Sequence, residues 1–218
     1  MKRIVLFLAL FFGATFCAFG QNIQVHHDFG RFLYDEQAGR SPVTLTYEAF
    51  KPDTFGSWFY FIDADIASDG VTGAYTEISR EFNLWKDAPL AAHIEFNGGL
   101  AGSFIIPPAY LAGFAYNWHN ADFTLTLSLQ TLYKYIRGVG HNGQVTFVWN
   151  SQPIKGKLYF NGFADFWTSG GGTVFLSEPQ LWWAITRSVY LGGEVELSHN
   201  FAIMGFSAIP TIAIRFNL

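Results

Sequence analysis

The chain has 218 residues, of which 50% are hydrophobic, 19% aromatic and only 14% charged. Its 24 Phe, 10 Tyr and 7 Trp exclude a disordered or collagen-like protein. A net charge of −4 without a long basic run excludes a nucleic-acid partner, and at this length one large domain is expected.

The first twenty residues have the pattern of an export signal. Lys2 and Arg3 precede the apolar run 4–12, and the small residues Ala18 and Gly20 then predict cleavage before Gln21. Cleavage would leave residues 21–218 as one outer-membrane β-barrel domain and change the net charge from −4 to −6.

A lipoprotein signal that ends at Cys17 is the alternative, and it is disfavoured because bulky Phe16 stands where a small residue is required. Cys17 is the sole cysteine, so no intrachain disulfide can form.

Beyond the signal, hydrophobicity alternates with a period of two. In the segment 43–50 one face holds Val43, Leu45, Tyr47 and Ala49, and the other holds Thr44, Thr46 and Glu48. The segment 123–135 repeats the alternation over a longer stretch. The longest apolar candidate for a transmembrane helix, 100–114, is interrupted by Pro107 and Pro108. The pattern predicts about twelve strands, at 22–31, 43–50, 58–66, 75–84, 91–97, 109–118, 123–136, 144–150, 157–167, 174–185, 189–199 and 207–218.

These strands could form a soluble sandwich or a closed transmembrane barrel, and three features favour the barrel. The strand number is even, and the final segment 212–218 alternates to its last residue, as in outer-membrane barrels. Aromatic residues also stand near strand ends, as in interfacial girdles: Trp58, Trp118, Trp149, Trp167, Trp183 and Tyr190. We therefore expect an all-β protein, a transmembrane antiparallel up-and-down barrel of about twelve strands, surrounded by lipid in the outer membrane of a Gram-negative bacterium.

With the N-terminus in the periplasm, the outward connections are predicted at 32–42, 67–74, 98–108, 137–143, 168–173 and 200–206. None is long enough to be a large plug, so the lumen should be closed mainly by its own side chains. A barrel of twelve strands lies between the filled eight-strand type and the open porins, so its bore would suit a small solute.

The polar face of the strands is assigned to the lumen, because ionisable groups within a membrane must face water or each other. This face holds Glu48, Asp63, Asp65, Glu77, Glu81, His93, Glu95, Asp165, Glu178, Glu194 and Glu196, opposed by Lys134, Lys157 and Arg215. Its aromatic residues are Phe59, Phe61, Tyr159, Phe163, Trp167 and Trp182. The groups could form a structural ion-pair network or a selective channel. For a channel, the candidate lining residues are Glu48, Phe59, Phe61, Asp63, Asp65, Glu77, Glu95, Asp165 and Arg215.

A family resemblance is carried by the segments Tyr47–Phe50, Trp58–Ala64 and Tyr75–Phe82. These segments resemble the second to fourth strands of the nucleoside-specific channel-forming outer-membrane family, the Tsx-type barrels. Glu81 separates Arg80 from Phe82 and departs from that pattern. The resemblance implies a monomeric twelve-strand barrel that passes nucleosides, with Glu48 and Asp63 as lumen residues by match. It does not extend over 98–207.

Three short motifs suggest other chemistry, but each lacks a feature that this chemistry requires. The glycine pattern at 138–143 precedes a predicted strand, whereas a dinucleotide site requires a helix there. His26, His27 and Asp28 have no second cluster at metal-ligand spacing, so we expect a solvated first strand. Ser198 and His199 would point to opposite faces of one strand. The sequence thus gives no catalytic residues, metal or cofactor.

Three functions compete at this stage. The first is a passive channel for a small polar solute such as a nucleoside. The second is a lipid-modifying enzyme, which would need a nucleophile and base on the rim, and none is found. The third is a non-conducting structural or accessory barrel that binds a partner protein or lipid. The dense polar face favours the first.

Overall fold

A computed structural model describes residues 20–102, 104–201 and 203–218. Apart from Gly20, the expected signal lies outside the described residues. The strands are β1 Gln21–Asp28, β2 Val43–Asp53, β3 Gly56–Ala67, β4 Gly70–Asn83, β5 Leu90–Ala101, β6 Phe104–His119, β7 Leu125–Ile136, β8 Gly140–Ile154, β9 Leu158–Ser169, β10 Gly172–Ser177, β11 Gln180–Ala184, β12 Val189–His199 and β13 Phe206–Asn217. A short helix, α1 (Gly30–Leu33), and a 3-10 turn (Asp35–Gln37) follow β1. In these described ranges no helix is both long and apolar enough to cross a membrane.

The sheet closes on itself. Every strand pairs antiparallel with its neighbours, and β1 pairs with β13 from Asn22 opposite Asn217 to Asp28 opposite Thr211. Both β10 and β11 lie between β9 and β12, so together they form one interrupted strand of the barrel. The prediction of a closed antiparallel barrel of twelve strands is confirmed, and closure leaves no unpaired sheet edge.

The interruption falls at Glu178 and Pro179, within the predicted strand 174–185. Proline cannot donate a hydrogen bond to a neighbouring strand, so the ladder stops there. The displaced backbone packs against Gly162, where a Cβ atom would lie 2.4 Å from the Glu178 carbonyl oxygen. Because only glycine allows this approach, Gly162 and Pro179 together fix the position of the break.

The predicted loop 98–108 is wrong, because strand β5 continues to Ala101 and strand β6 already begins at Phe104. The register shifts between Asn97 and Gly99, and this bulge absorbs the extra residue so that pairing continues past Pro107 and Pro108. The predicted loops 67–74 and 137–143 are also too long, since β4 begins at Gly70 and β8 at Gly140.

The barrel has two distinct ends. The terminal end carries both chain ends and the turns 54–55, 84–89, 120–124, 155–157 and 185–188. The loop end carries the connections that follow β1, β3, β5, β7, β9 and β12, whose described residues are 29–42, 68–69, 102, 137–139, 170–171, 200–201 and 203–205. The longest connection is 29–42, which holds α1, and the first strand ends at Asp28 instead of the predicted residue 31.

Alternation divides the aromatic residues between the two faces. Trp58, Trp118 and Trp183 face outward and are 41 to 44% exposed, as a lipid-facing girdle requires. Tyr190 and Trp167 do not belong to the girdle that the sequence predicts, because both point inward and are buried. For Trp167 this agrees with its other predicted place, on the interior face. Proximity to a strand end does not identify the face, since neighbouring residues on a strand point in opposite directions.

Candidate functional site in the barrel interior

The pairing register places the candidate lining residues on the inward face. On strands β2 to β5, Thr46 stands opposite Asp63 and Phe61 opposite Glu77. The inward carboxylates of these four strands form one continuous surface, which we call the acidic wall: Glu48, Asp63, Asp65, Glu77, Glu81 and Glu95. Phe59 and Phe61 lie on the same surface, with ring centroids 6.1 Å apart. Asp165 on β9 and Arg215 on β13 stand on other walls of the interior.

Hydrogen bonds from neighbouring side chains hold Asp65, Glu77 and Glu95 of the acidic wall in fixed positions. The Thr44 hydroxyl donates to Asp65 over 2.9 Å, and the Tyr75 hydroxyl donates to Glu77 over 2.7 Å. Glu95 accepts from the Asn97 amide at 3.1 Å. Each donor is an inward neighbour on the same or the adjacent strand, so the alternation that produces the wall also supplies its hydrogen bonds.

His93 joins two members of the acidic wall. Its Nδ1 lies 3.4 Å from Glu81 Oε1 and its Nε2 lies 3.2 Å from Glu95 Oε2. The ring is only 3% exposed, and Asn117 donates to the second oxygen of Glu81 over 2.7 Å. The cluster fixes the terminal-end half of the wall, where β4, β5 and β6 meet.

A second group of carboxylates lies across the interior, at the break in the sheet and on β12. Glu194 accepts a hydrogen bond from Gln180 at 2.8 Å and is 20% exposed. Glu196 is 8% exposed, and Glu178 occupies the break itself. Carboxyl groups therefore face the interior from both sides.

Two cations of the strands are held by aromatic rings. Lys134 donates to Gln144 over 2.7 Å, and its Nζ lies 4.3 Å from the centroid of the Trp167 ring. Arg215 lies 4.4 Å from the Tyr190 ring and 4.8 Å from the Trp182 ring. Cation–π contacts of this kind stabilise a charge that has little water around it. Lys157 instead lies in the turn after β8 and donates to the Ala184 carbonyl.

The 29–42 loop closes part of the interior at the loop end. Arg40 forms ion pairs with Asp28 at 2.8 Å and Glu196 at 2.7 Å. Burial alone would lower the pKa of Arg40, but the charges of Glu196 and Asp28 raise it above its ordinary value, so the side chain stays charged. Tyr34 accepts a hydrogen bond from the Ala208 backbone N–H at 2.9 Å. The loop is thus bound to the inner wall.

An apolar cluster fills the opposite side of the loop end. It consists of Ala109, Leu111, Leu132, Ile136 and Trp167, with Val174 and Leu176 packed against it. Phe201, from the connection before β13, contacts Trp167 edge-on with ring centroids 6.0 Å apart. The loop end is therefore narrowed by apolar packing on one side and by the 29–42 loop on the other.

The terminal end contains a cavity of about 210 Å³. The residues that line it come from opposite walls and from one turn: Glu48, Phe123, Thr124, Asn150, Ser151, Gln152, Tyr159, Asn161 and Arg215. A second hollow, of about 480 Å³, is open and lies on the outer surface around Val145 and Phe166.

The first strand differs from the prediction of a solvated segment. His26 and Asp28 point inward with 2% and 4% exposure, and only His27 points outward. His26 contacts Gln24 at 2.8 Å and Thr211 at 3.0 Å, so its polar groups are satisfied inside the barrel. Because the two histidines are adjacent and both polar, the sequence does not indicate which of them points into the barrel.

Sequence reasoning also missed Arg40, because no periodicity marks a loop residue that folds back into a barrel. Ser198 and His199 do point to opposite faces: Ser198 is buried against Ser207 at 2.8 Å, and His199 faces outward. In the described part of the chain, no cluster of three or more His, Cys, Asp or Glu residues could hold a metal ion.

Residues 20–218 match the family described as "Domain of unknown function (DUF5020)". No curated protein sequence matches the chain. Among solved structures, the NanC porin superposes with a TM-score of 0.59 at 9% identity, covering 91% of this chain and 100% of that one. The KdgM porin in complex with disordered oligogalacturonate gives a TM-score of 0.56 at 8% identity, covering 90% and 99%. At such low identity the likeness establishes a porin-like barrel fold, and it does not extend to the nucleoside-specific type.

Proposed function

Because the chain belongs to the DUF5020 family, whose description gives no activity, we propose its function from the barrel itself. We propose an outer-membrane channel through which small solutes diffuse, with a preference for uncharged and cationic solutes over anionic ones. The terminal end faces the periplasm, and one chain encloses the whole path as a monomer.

The observation that carries this proposal is the charge of the interior. The acidic wall and the carboxylates of β9 to β12 face only two strand cations, Lys134 and Arg215, together with Arg40 of the loop, within the described residues. Charged rings in a narrow, low-dielectric path select permeating ions by sign. An interior of this composition would repel anions and concentrate cations.

The acidic interior would also give this chain a different solute preference from that of one protein that it resembles in fold. Oligogalacturonate, the molecule bound in the KdgM structure, carries a carboxylate on each sugar unit. Like charges that face each other are unfavourable when water is scarce. We therefore expect this barrel to exclude such a polyanion, although both proteins are porin-like barrels.

Nucleosides are the uncharged solutes that we propose in particular. Phe59 and Phe61 present ring faces beside Asp63 and Glu77, and Phe61 contacts Tyr75 with centroids 5.9 Å apart. Aromatic faces can stack on a flat base, and carboxylates can accept hydrogen bonds from ribose hydroxyls. The candidate lining set Glu48, Phe59, Phe61, Asp63, Asp65, Glu77, Glu95, Asp165 and Arg215 would form this path.

The proposal is tested with the refolded barrel in planar bilayers and liposomes. The reversal potential in a KCl gradient measures the charge preference, and liposome swelling compares uridine, a neutral hexose and galacturonate. We expect cation selectivity, entry of uridine and hexose, and exclusion of galacturonate. Anion selectivity or faster galacturonate entry would contradict the proposal.

Neutralising part of the acidic wall should weaken this selectivity. The double variant Asp63→Asn and Asp65→Asn removes two inward charges and retains side chains that can hydrogen-bond to Thr46 and Thr44. We expect the ratio of cation to anion permeability to fall by roughly three- to tenfold.

The matched control is Asp69→Asn, in the exposed turn between β3 and β4, where the carboxylate accepts only from neighbouring Ser68 among the described side chains. It should leave the permeability ratio within about twofold of the unchanged protein. Equal effects of the interior and turn variants would mean that the acidic wall does not line the path.

A second candidate, a non-conducting barrel that binds a partner protein or lipid, is favoured by one observation. The apolar cluster around Trp167 and the bound 29–42 loop both narrow the loop end. In that case neither ion current nor solute entry would be seen for a correctly folded barrel.

A further inference from the structure

Arg215 is a buried cation without an anionic partner in contact. It is 9% exposed, and its Nε atom has no hydrogen-bond partner in the part of the chain that the structure describes. Tyr190, Trp182 and Tyr159 surround the guanidinium with their rings at 4.4, 4.8 and 5.9 Å. The rings fix the guanidinium and the Tyr190 hydroxyl is a hydrogen-bonding neighbour. Among the described residues, however, no carboxylate pairs with the guanidinium and accepts its in-plane hydrogen bonds two at a time.

Glu48 lines the same cavity and carries the opposite charge. One of its oxygens accepts a hydrogen bond from the Asn22 amide at 3.0 Å. Among the ion pairs of the described residues, none joins Glu48 to Arg215. The two side chains stand on β2 and β13 with β1 between them, and both line the cavity. Two opposite charges held apart in a poorly hydrated space are each best compensated by a molecule that bridges them.

The remaining lining of the cavity is polar and uncharged. Asn150, Asn161 and Gln152 contribute amides, and Thr124 and Ser151 contribute hydroxyls, while Tyr159 and Phe123 supply ring surface. The volume of about 210 Å³ equals that of about seven water molecules, so it suits a molecule of amino-acid or monosaccharide size.

We propose that this cavity binds a small zwitterion of the α-amino-acid kind. The carboxylate of the ligand pairs with Arg215, and its ammonium group donates to Glu48, so that each charge of the cavity gains a partner. The amides of Asn150, Asn161 and Gln152 contact the ligand side chain. A molecule with only one of the two charges leaves the other charge of the cavity uncompensated, and a neutral sugar compensates neither.

The inference rests on the proposed channel, because it makes the cavity a solute site at the periplasmic mouth. A zwitterion has no net negative charge, so the acidic wall would not exclude it. Binding and permeation can nevertheless be measured separately, which keeps the two proposals distinct.

Calorimetric titration of the refolded barrel in detergent tests the ligand class. The probes are L-glutamine, its N-acetyl derivative without the ammonium group, its carboxamide without the carboxylate, and uridine and glucose as neutral molecules. We expect L-glutamine to bind at least about tenfold more tightly than either derivative, since each lacks one charge-assisted hydrogen bond. Equal binding of a derivative, tighter binding of uridine or glucose, or no binding of glutamine would overturn the proposal.

Two substitutions test whether Arg215 and Glu48 bind the ligand. Arg215→Lys keeps the charge but loses the paired hydrogen bonds, and Glu48→Gln removes the charge at nearly constant size. Each should weaken glutamine binding by about 10- to 100-fold. Asp69→Asn, in the exposed turn between β3 and β4 and outside the cavity lining, is the matched control and should bind glutamine as the unchanged protein does.

Folding of each variant is checked by the difference in gel mobility between heated and unheated barrels. Should Arg215→Lys fail to fold, Glu48→Gln together with the ligand derivatives still decides the question. Unchanged glutamine binding in a folded Glu48→Gln barrel would overturn the proposal. Binding without ion current would leave the site standing and remove the channel, whereas current without glutamine binding would do the reverse.

Discussion

Replacing Arg40 with alanine is expected to release the 29–42 loop from the inner wall and to open the loop end. The change leaves Asp28 and Glu196, which are 5% and 8% exposed, without their shared cation. Removing one partner of a buried ion pair costs on the order of 3 kcal/mol, because the remaining charge is left uncompensated. We expect a higher single-channel conductance and faster chymotrypsin cleavage at Phe32 and Tyr34.

Arg31→Ala is the control for this prediction, since it removes the same charge from the same loop. Arg31 is exposed, and its guanidinium lies 5.6 Å from the Phe32 ring. Its loss should change stability by less than about 1 kcal/mol and leave the conductance unaltered. If both variants conduct and are cleaved alike, the ion pairs of Arg40 do not hold the loop.

Replacing Trp182 with alanine should cause the largest loss of stability among single changes inside the barrel. Trp182 is fully buried and packs with Ala184, Tyr190 and Ala213, while its indole N–H donates to Gln180 over 3.0 Å. Truncation of a buried tryptophan costs about 3–5 kcal/mol, the sum of lost packing and an unfilled cavity. Urea unfolding of the barrel in detergent micelles, followed by tryptophan fluorescence, measures the change.

The adjacent Trp183 provides the control, because it differs mainly in the face that it occupies. It points outward with 43% exposure, and Lys157 lies over its ring at 5.0 Å. Trp183→Ala should lower the free energy of unfolding by no more than about 1–2 kcal/mol. A larger loss for Trp183 than for Trp182 would contradict the inward assignment of β11.

The alternation of polar and apolar residues predicted the barrel, and it placed the carboxylates of β2 to β5 on the inward face that the pairing register gives them. Asp63 and Glu95 could be assigned inward because each stands two residues from another polar residue of its strand, Asp65 and Asn97. This alternation is a local property, so the sequence of a single strand is enough to predict which of its side chains share a face. The assignment of the aromatic girdle failed at Trp167 and Tyr190 because the distance to a strand end was used there instead of the face.

The sequence by itself therefore determined the closed antiparallel sheet and which side chains share each face, since both follow from a period of two. Only the tertiary structure decided what fills the interior. The binding of Arg40 to Asp28 and Glu196, 12 and 156 residues away, depends on how a loop folds back into the barrel. The cavity between Glu48 and Arg215 likewise depends on β2 and β13 lying on either side of β1 after closure. Contacts between residues so distant in sequence leave no local pattern, because they form only when the sheet closes.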